Sequence, residues 1–122
     1  MKSLIFLDDE RFFSDVNWVN YREDFNKITV VRDYREFTEV VDYAVEHNEL
    51  CDLAFSFDHD LGDNTDGYEK TGKTCAEYLI DLIIRFQLDP NDLTYFVHSK
   101  NPVGKENIEK YIQSYIDFYN KG

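Results

Sequence analysis

Three stretches of this chain bring acidic, imidazole and basic side chains together in patterns that permit phosphate chemistry. Asp8-Asp9-Glu10-Arg11, Asp58-His59-Asp60 and His98-Ser99-Lys100 each follow directly on a short apolar run. Asp8, Asp9 and Asp58 offer hard oxygen donors suited to Mg²⁺ or Mn²⁺, ions that keep several waters and meet the phosphate of a substrate. His59 and His98 are candidates to accept and donate protons, as imidazoles commonly do in catalysis. Arg11, Lys100 and Lys105 are candidate fixed charges for an anion, and Ser99 is a candidate hydroxyl donor. A single aspartate after a strand is more often a turn former or helix cap than a ligand. Acidic and imidazole groups at three strand ends together favour a site. Asn101 and Gly104 read better as caps of the last helix than as ligands, although a helix N-terminus also suits an anion.

Such residues need elements that deliver them to one place. The apolar runs at 3–7, 28–31, 53–57 and 93–97 are short and continuous, as expected of strands buried on both faces. Asp33 and Glu36 give a capping-box-like start to a helix whose apolar stripe is Phe37, Val40, Val41, Ala44 and Val45. Thr74 and Glu77 give a second, ahead of Leu79, Ile80, Leu82, Ile83 and Phe86, and Asp89-Pro90 closes it. Asn101-Pro102 opens a third, with Ile108, Tyr111, Ile112, Tyr115, Ile116 and Tyr119 on one side. Strands alternating with helices imply a parallel sheet with right-handed crossovers, which binds ligands beyond its carboxyl edge.

Two segments depart from that rhythm. Residues 12–27 mix aromatics and charges without a period, so a long loop with one or two short turns is expected in place of the first crossover helix. Within it, Trp18 and Tyr21 either line a pocket or plug the gap left by the missing helix, and the plug is the better reading. Residues 61–72 are polar and contain glycine, which suggests a mobile or ligand-facing loop. Gly67 to Thr74 also satisfies the phosphate-loop string, but such a loop follows its strand directly, and here about eight residues intervene.

The 122 residues allow a single domain, 1–122, and 25 acidic against 13 basic side chains leave a net charge of −12. That balance argues against gripping an extended nucleic-acid backbone. A phosphorylated ligand would need a local cation, most economically a metal ion held by carboxylates. No apolar run approaches a membrane span of about 20 residues. Cys51 and Cys75 are too few for a disulfide scaffold and read as reduced core thiols of a cytoplasmic protein.

The arrangement resembles a response-regulator receiver domain. Asp8-Asp9 matches the acidic pair after strand one, Asp58 the phosphoacceptor after strand three, and Ser99 the hydroxyl residue after strand four. No fifth strand, and no lysine that it would present, is found. The chain is more closely similar to the cyclic-phosphate-processing receiver domains, whose blocks read LDDER, DHDLG, TG and HSxNPxG. Here they are Leu7-Asp8-Asp9-Glu10-Arg11, Asp58-His59-Asp60-Leu61-Gly62, Thr71-Gly72 and His98-Ser99-Lys100-Asn101-Pro102-Val103-Gly104. Phe12-Phe13 stands where a proline usually follows the first block.

The resemblance implies an α/β fold, a flavodoxin-like, receiver-type three-layer sandwich with about four parallel strands and a degenerate first crossover helix. It also implies a metal-dependent phosphoesterase processing a cyclic phosphate, with Asp8, Asp9 and Asp58 holding Mg²⁺ (or Mn²⁺). Catalysis would fall to His59, His98 and Asp58, and phosphate binding to Arg11, Ser99, Lys100 and Lys105. The expected ligand is a cyclic nucleotide or a cyclic-phosphate-ended RNA. Two alternatives stay open: a non-catalytic module that binds or sequesters a phosphorylated ligand, and a phosphoacceptor receiver using Asp58.

Overall fold

Alternation of side chains along the strands decides the architecture. In the computed structural model, which describes residues 1–64 and 67–122, strand β1 (Lys2–Leu7) sends Ile5 and Leu7 to one face and Leu4 and Phe6 to the other. Strands β2 (Phe25–Val31), β3 (Leu53–Phe57) and β6 (Thr94–Val97) do the same, so each is apolar on both faces. All pair in parallel, in the order β2-β1-β3-β6. This is the flavodoxin-like, receiver-type arrangement, and its switch point lies between β1 and β3.

Three helices cover one face. Helix α1 (Tyr34–His47) contributes Phe37, Val41 and Ala44, α2 (Gly72–Arg85) contributes Cys75, Leu79 and Ile83, and α3 (Pro102–Lys121) contributes Ile108 and Ile112. Among the described residues the opposite face carries no α-helix. Phe13, Val16 and Phe25 pack there against Leu4, Phe6 and Ala54. The first connection holds a single 3-10 turn, Phe13–Asp15, as its lack of period suggested. Buried Tyr21 fills the gap with its ring against Phe13, Phe25 and Phe96, whereas Trp18 stays 37% exposed. The plug reading therefore holds for Tyr21 alone.

Several local expectations change. Residues 61–72 are not one open loop: β4 (Asp60–Asp63) and β5 (Lys70–Thr71) form an antiparallel ribbon, and the positions at 65 and 66 lie outside the described residues. The second strand begins at Phe25 rather than at Ile28, because Phe25 joins the aromatic face. The cap of α2 is Thr71, three residues earlier than expected, and the Thr74 hydroxyl accepts the Thr71 N–H in return. Gly72 explains the shift: its N–H donates to the His59 carbonyl at 2.9 Å, and a Cβ there would stand 1.8 Å from the Asp58 carbonyl oxygen. The phosphate-loop string thus forms β5 and the first turn of α2. Cys75 is buried, but Cys51 is exposed, so only one thiol belongs to the core. Among the described residues no helix is long and apolar enough to cross a membrane.

The sheet positions the site through its register. Leu7 pairs with Val31 and Phe57, and Phe57 with Val97, so the four strands end level. One more ladder bond follows at three of these ends: Asp8, Asp58 and His98 donate their N–H groups to Val31, Leu7 and Phe57 at 3.0–3.1 Å. Asp8, Arg32, Asp58 and His98 therefore emerge side by side along one edge.

Candidate functional site

Asp8 is the most heavily hydrogen-bonded group on that edge. Its Oδ1 accepts the Glu10 and Arg11 N–H groups at 2.9 and 2.8 Å, which winds residues 8–11 into a tight turn. Its Oδ2 accepts from His98 Nε2 at 3.0 Å and from the Arg11 guanidinium at 3.4 Å. Burial alone would raise this carboxyl. The bonds from His98, Arg11 and Glu10 outweigh it and hold Asp8 well below the ordinary carboxylate range. Arg32, at the end of β2, ties down the same turn by donating to the Asp8 and Arg11 carbonyls at 3.0 and 2.7 Å.

His98 lies behind Asp8, fully buried and stacked on Phe6 with ring centroids 4.4 Å apart. Because an ionised carboxylate only accepts, Nε2 carries the proton toward Asp8. In the neutral ring Nδ1 then accepts from Ser56 Oγ at 2.7 Å, and Ser56 accepts from the Tyr21 hydroxyl at 2.9 Å. The chain Tyr21–Ser56–His98–Asp8 runs through the helix-free face, and every buried polar side-chain atom among the described residues has a partner.

Asp58 is also buried, at 5% exposure, yet among the described residues it accepts a single hydrogen bond, from the His59 N–H at 2.9 Å. Burial first, and then the neighbouring Asp8 charge, push its carboxyl up. Asp58 faces a cleft of about 250 Å³ lined also by Asp9, Asp60, Arg11, Ser99 and Lys100. Burial and the charges of Glu10 and Asp8 raise Asp9 as well. Asp60 shifts the other way, lowered chiefly by the bond from His59.

The expected residues thus separate into groups. Asp9, Asp58, Arg11, Ser99 and Lys100 share the cleft. Asp8 and His98 stand behind it, bonded to each other. His59 is not among the cleft's lining residues but is bonded to one of them, with Nδ1 3.0 Å from Asp60 Oδ1, and its ring lies against Gly104, where a Cβ would come within 2.2 Å. Lys105 lies in the first turn of α3 but is not among the cleft's lining residues. Asn101 caps α3 as expected, and its amide also donates to Asp60 at 3.3 Å.

The chemistry of the donor set bears on a metal. Asp8, Asp58 and His98 each place one possible ligand atom within 4.8 Å of the others. Asp8 and His98 are already bonded to one another through Oδ2 and Nε2, and Asp8 Oδ1 accepts two further N–H groups, so within this trio Asp58 has the spare capacity. Asp9 and Asp60 add carboxylates along the same cleft. Such oxygen donors beside a buried carboxylate in need of positive charge fit a hard divalent ion such as Mg²⁺ or Mn²⁺.

Sequence reasoning missed Arg32 and Ser56, and it named Asp60 only within its strand-end motif and Tyr21 only as a plug or pocket residue, giving neither a hydrogen-bonding role at the site. Ser56 carried a signal, since it is the polar residue inside the otherwise apolar run of β3. Arg32 carried one by position alone, as the residue after β2.

Comparison with curated proteins found no match, and comparison with solved structures found none. A family model described as the cyclic-phosphate processing receiver domain matches residues 3–114. The match begins within β1, ends within α3, and spans all four strand ends, including the three, of β1, β3 and β6, that build the cleft. Sheet order, strand-end carboxylates and matched span agree, and the chain belongs to the cyclic-phosphate processing receiver domain family.

Proposed function

We propose that the protein is a metal-dependent phosphoesterase that opens a cyclic phosphate. The observation that carries this reading is one small cleft in which Asp9, Asp58 and Asp60 share a wall with Arg11, Lys100 and Ser99. A surface of net charge −12 repels phosphate, and this pairing of metal-suited donors with fixed cations offsets the repulsion locally.

Ring opening needs water to attack phosphorus, one P–O ester bond to break, and the leaving oxygen to gain a proton. Asp58, with Asp9 and Asp60 beside it, would hold the divalent ion, which when bound supplies charge neutralisation and a more acidic water. Arg11 and Lys100 orient the non-bridging oxygens, and Ser99 donates to one of them. His59 is the histidine suited to proton transfer: it is partly exposed, and Nε2 has no partner among the described residues. His98 is suited to positioning, because it fixes the carboxylate of Asp8 and thereby the turn that presents Asp9 and Arg11.

The test is turnover of 2′,3′- and 3′,5′-cyclic nucleotides followed by phosphorus NMR with and without Mg²⁺. Ring opening that needs the ion and falls at least about 100-fold in Asp58→Asn supports the proposal. Metal-independent turnover, or ligand bound but recovered intact, overturns it, the latter in favour of a binding module. Stable labelling of Asp58 by a small phosphodonor would instead mark a phosphoacceptor.

A further inference from the structure

Trp18 is the only tryptophan of the chain, and the packing of the helix-free face does not account for it. That face is filled by Phe13, Val16 and Phe25, with Tyr21 closing the gap, while Trp18 remains 37% exposed. Its indole is nevertheless held in place. Nε1 donates to the His98 carbonyl at 2.8 Å, which pins one edge of the ring to the end of β6. The two cations of the cleft rest on the same ring: Lys100 Nζ lies 4.1 Å and the Arg11 guanidinium carbon 5.3 Å from its centroid. Both side chains also line the phosphate cleft.

We propose that Trp18 is the stacking platform for the base of a nucleoside cyclic phosphate whose phosphate lies between Arg11 and Lys100. The inference rests on the reading of the cleft as a phosphate site and adds what stands beside the phosphate. A volume of about 250 Å³ suits a cyclic phosphate and its sugar, and leaves the rest of the ligand outside. The indole lies next to that cleft, since two of the cleft's lining cations rest on its ring. An anion in the cleft attracts Lys100 more strongly than a π-face does, so phosphate binding draws the ammonium off the ring and uncovers it. A base has a π-face of its own, and stacking on tryptophan tolerates any base. The ligand class is therefore a base carried about one sugar away from a cyclic phosphate.

Calorimetric binding to the full chain, with Mg²⁺ present, decides the matter by comparing two ligands. One is adenosine 2′,3′-cyclic phosphate, and the other is methyl riboside 2,3-cyclic phosphate, which lacks the base. The expected result is about tenfold tighter binding of the adenosine ligand, accompanied by quenching of the single tryptophan in stopped-flow fluorescence before turnover. Trp18→Ala should bring the ratio of the two affinities to about one, and Trp18→Phe should keep most of it. The ratio separates stacking from any general disturbance of the cleft, because both ligands use the same phosphate site. Equal binding of the two ligands by the native chain overturns the platform and leaves the phosphate reading intact. So does an equal loss for both in Trp18→Ala, which would mean that the indole only steadies its two cations. Failure of both ligands to bind overturns the phosphate reading and the platform with it. A dinucleotide with the same cyclic end tells a chain end, bound as tightly as the mononucleotide, from a free nucleotide, bound more tightly than the dinucleotide; either supports the platform.

Discussion

The ends of β1 and β3 are adjacent, level and each occupied by a buried aspartate, yet the two carboxylates live in opposite circumstances. Asp8 accepts from His98, from the Arg11 side chain and from two backbone N–H groups, and is held strongly ionised. Asp58 accepts from one N–H and is pushed toward its neutral form by burial and by Asp8 itself. Burial is nearly the same for both, so hydrogen-bond donors rather than solvent set the difference. Asp8 is part of the framework. Asp58 is left short of positive charge at the mouth of a cleft, where a bound cation would supply it.

That contrast can be broken most directly by Asp8→Ala. It strips the acceptor from His98, Arg11 and the 8–11 turn at once, and should cost about 3–5 kcal/mol in urea unfolding. A loss below about 1 kcal/mol would show that Asp8 is no framework residue. Ser56→Ala leaves both Tyr21 and His98 Nδ1 without their shared partner, and about 1–3 kcal/mol should be lost by the same measurement.

Asp58→Asn should act with the opposite sign, stabilising the metal-free protein at neutral pH by about 1–2 kcal/mol. The signs follow from linkage. Asp8 has a lowered folded value, so its contribution is full above the ordinary carboxylate value of about 3.9 and is lost as pH falls through the lowered folded value. Asp58 has a raised folded value, so its penalty grows as pH rises from the ordinary value through the raised one and is full above it. Added Mg²⁺ should raise the melting temperature of the native chain, by an amount that grows with the logarithm of the ion's concentration once it exceeds Kd, and leave Asp58→Asn unmoved. Destabilisation by Asp58→Asn in EDTA would end the comparison. The smallest effect is expected of Asn101→Ala, about 1 kcal/mol from loss of the α3 cap, with the acid limb that belongs to Asp8 unchanged in a pH series of melting curves.

Legibility in the sequence followed the range of the interactions. The helix-covered face was readable because its signals are local: the stripe Phe37, Val41, Ala44 in α1, and Ile108 with Ile112 in α3 behind the Asn101-Pro102 cap. The helix-free face was readable only as an absence of period. Its filling by Phe13 and Tyr21, and the split between Tyr21 inside and Trp18 outside, depend on contacts with strands far away in sequence. The α2 cap was misplaced for a similar reason, since Gly72 is fixed by the backbone of residues 58 and 59 across the ribbon.

The sequence by itself determined that acidic and imidazole residues sit at the carboxyl ends of buried strands. A short apolar run that stops at Asp8, Asp58 or His98 reads as a buried strand and places that residue at the strand's end. Only the tertiary structure decided which of these residues serve one another. Asp8 and His98 are 90 positions apart and meet because β6 lies beside β3, and β3 beside β1, in level register. That meeting adds His98 to the donors that Glu10 and Arg11 supply locally, and leaves Asp58, Asp9 and Asp60 to the cleft, because a carboxylate already surrounded by N–H groups has little capacity left for a cation.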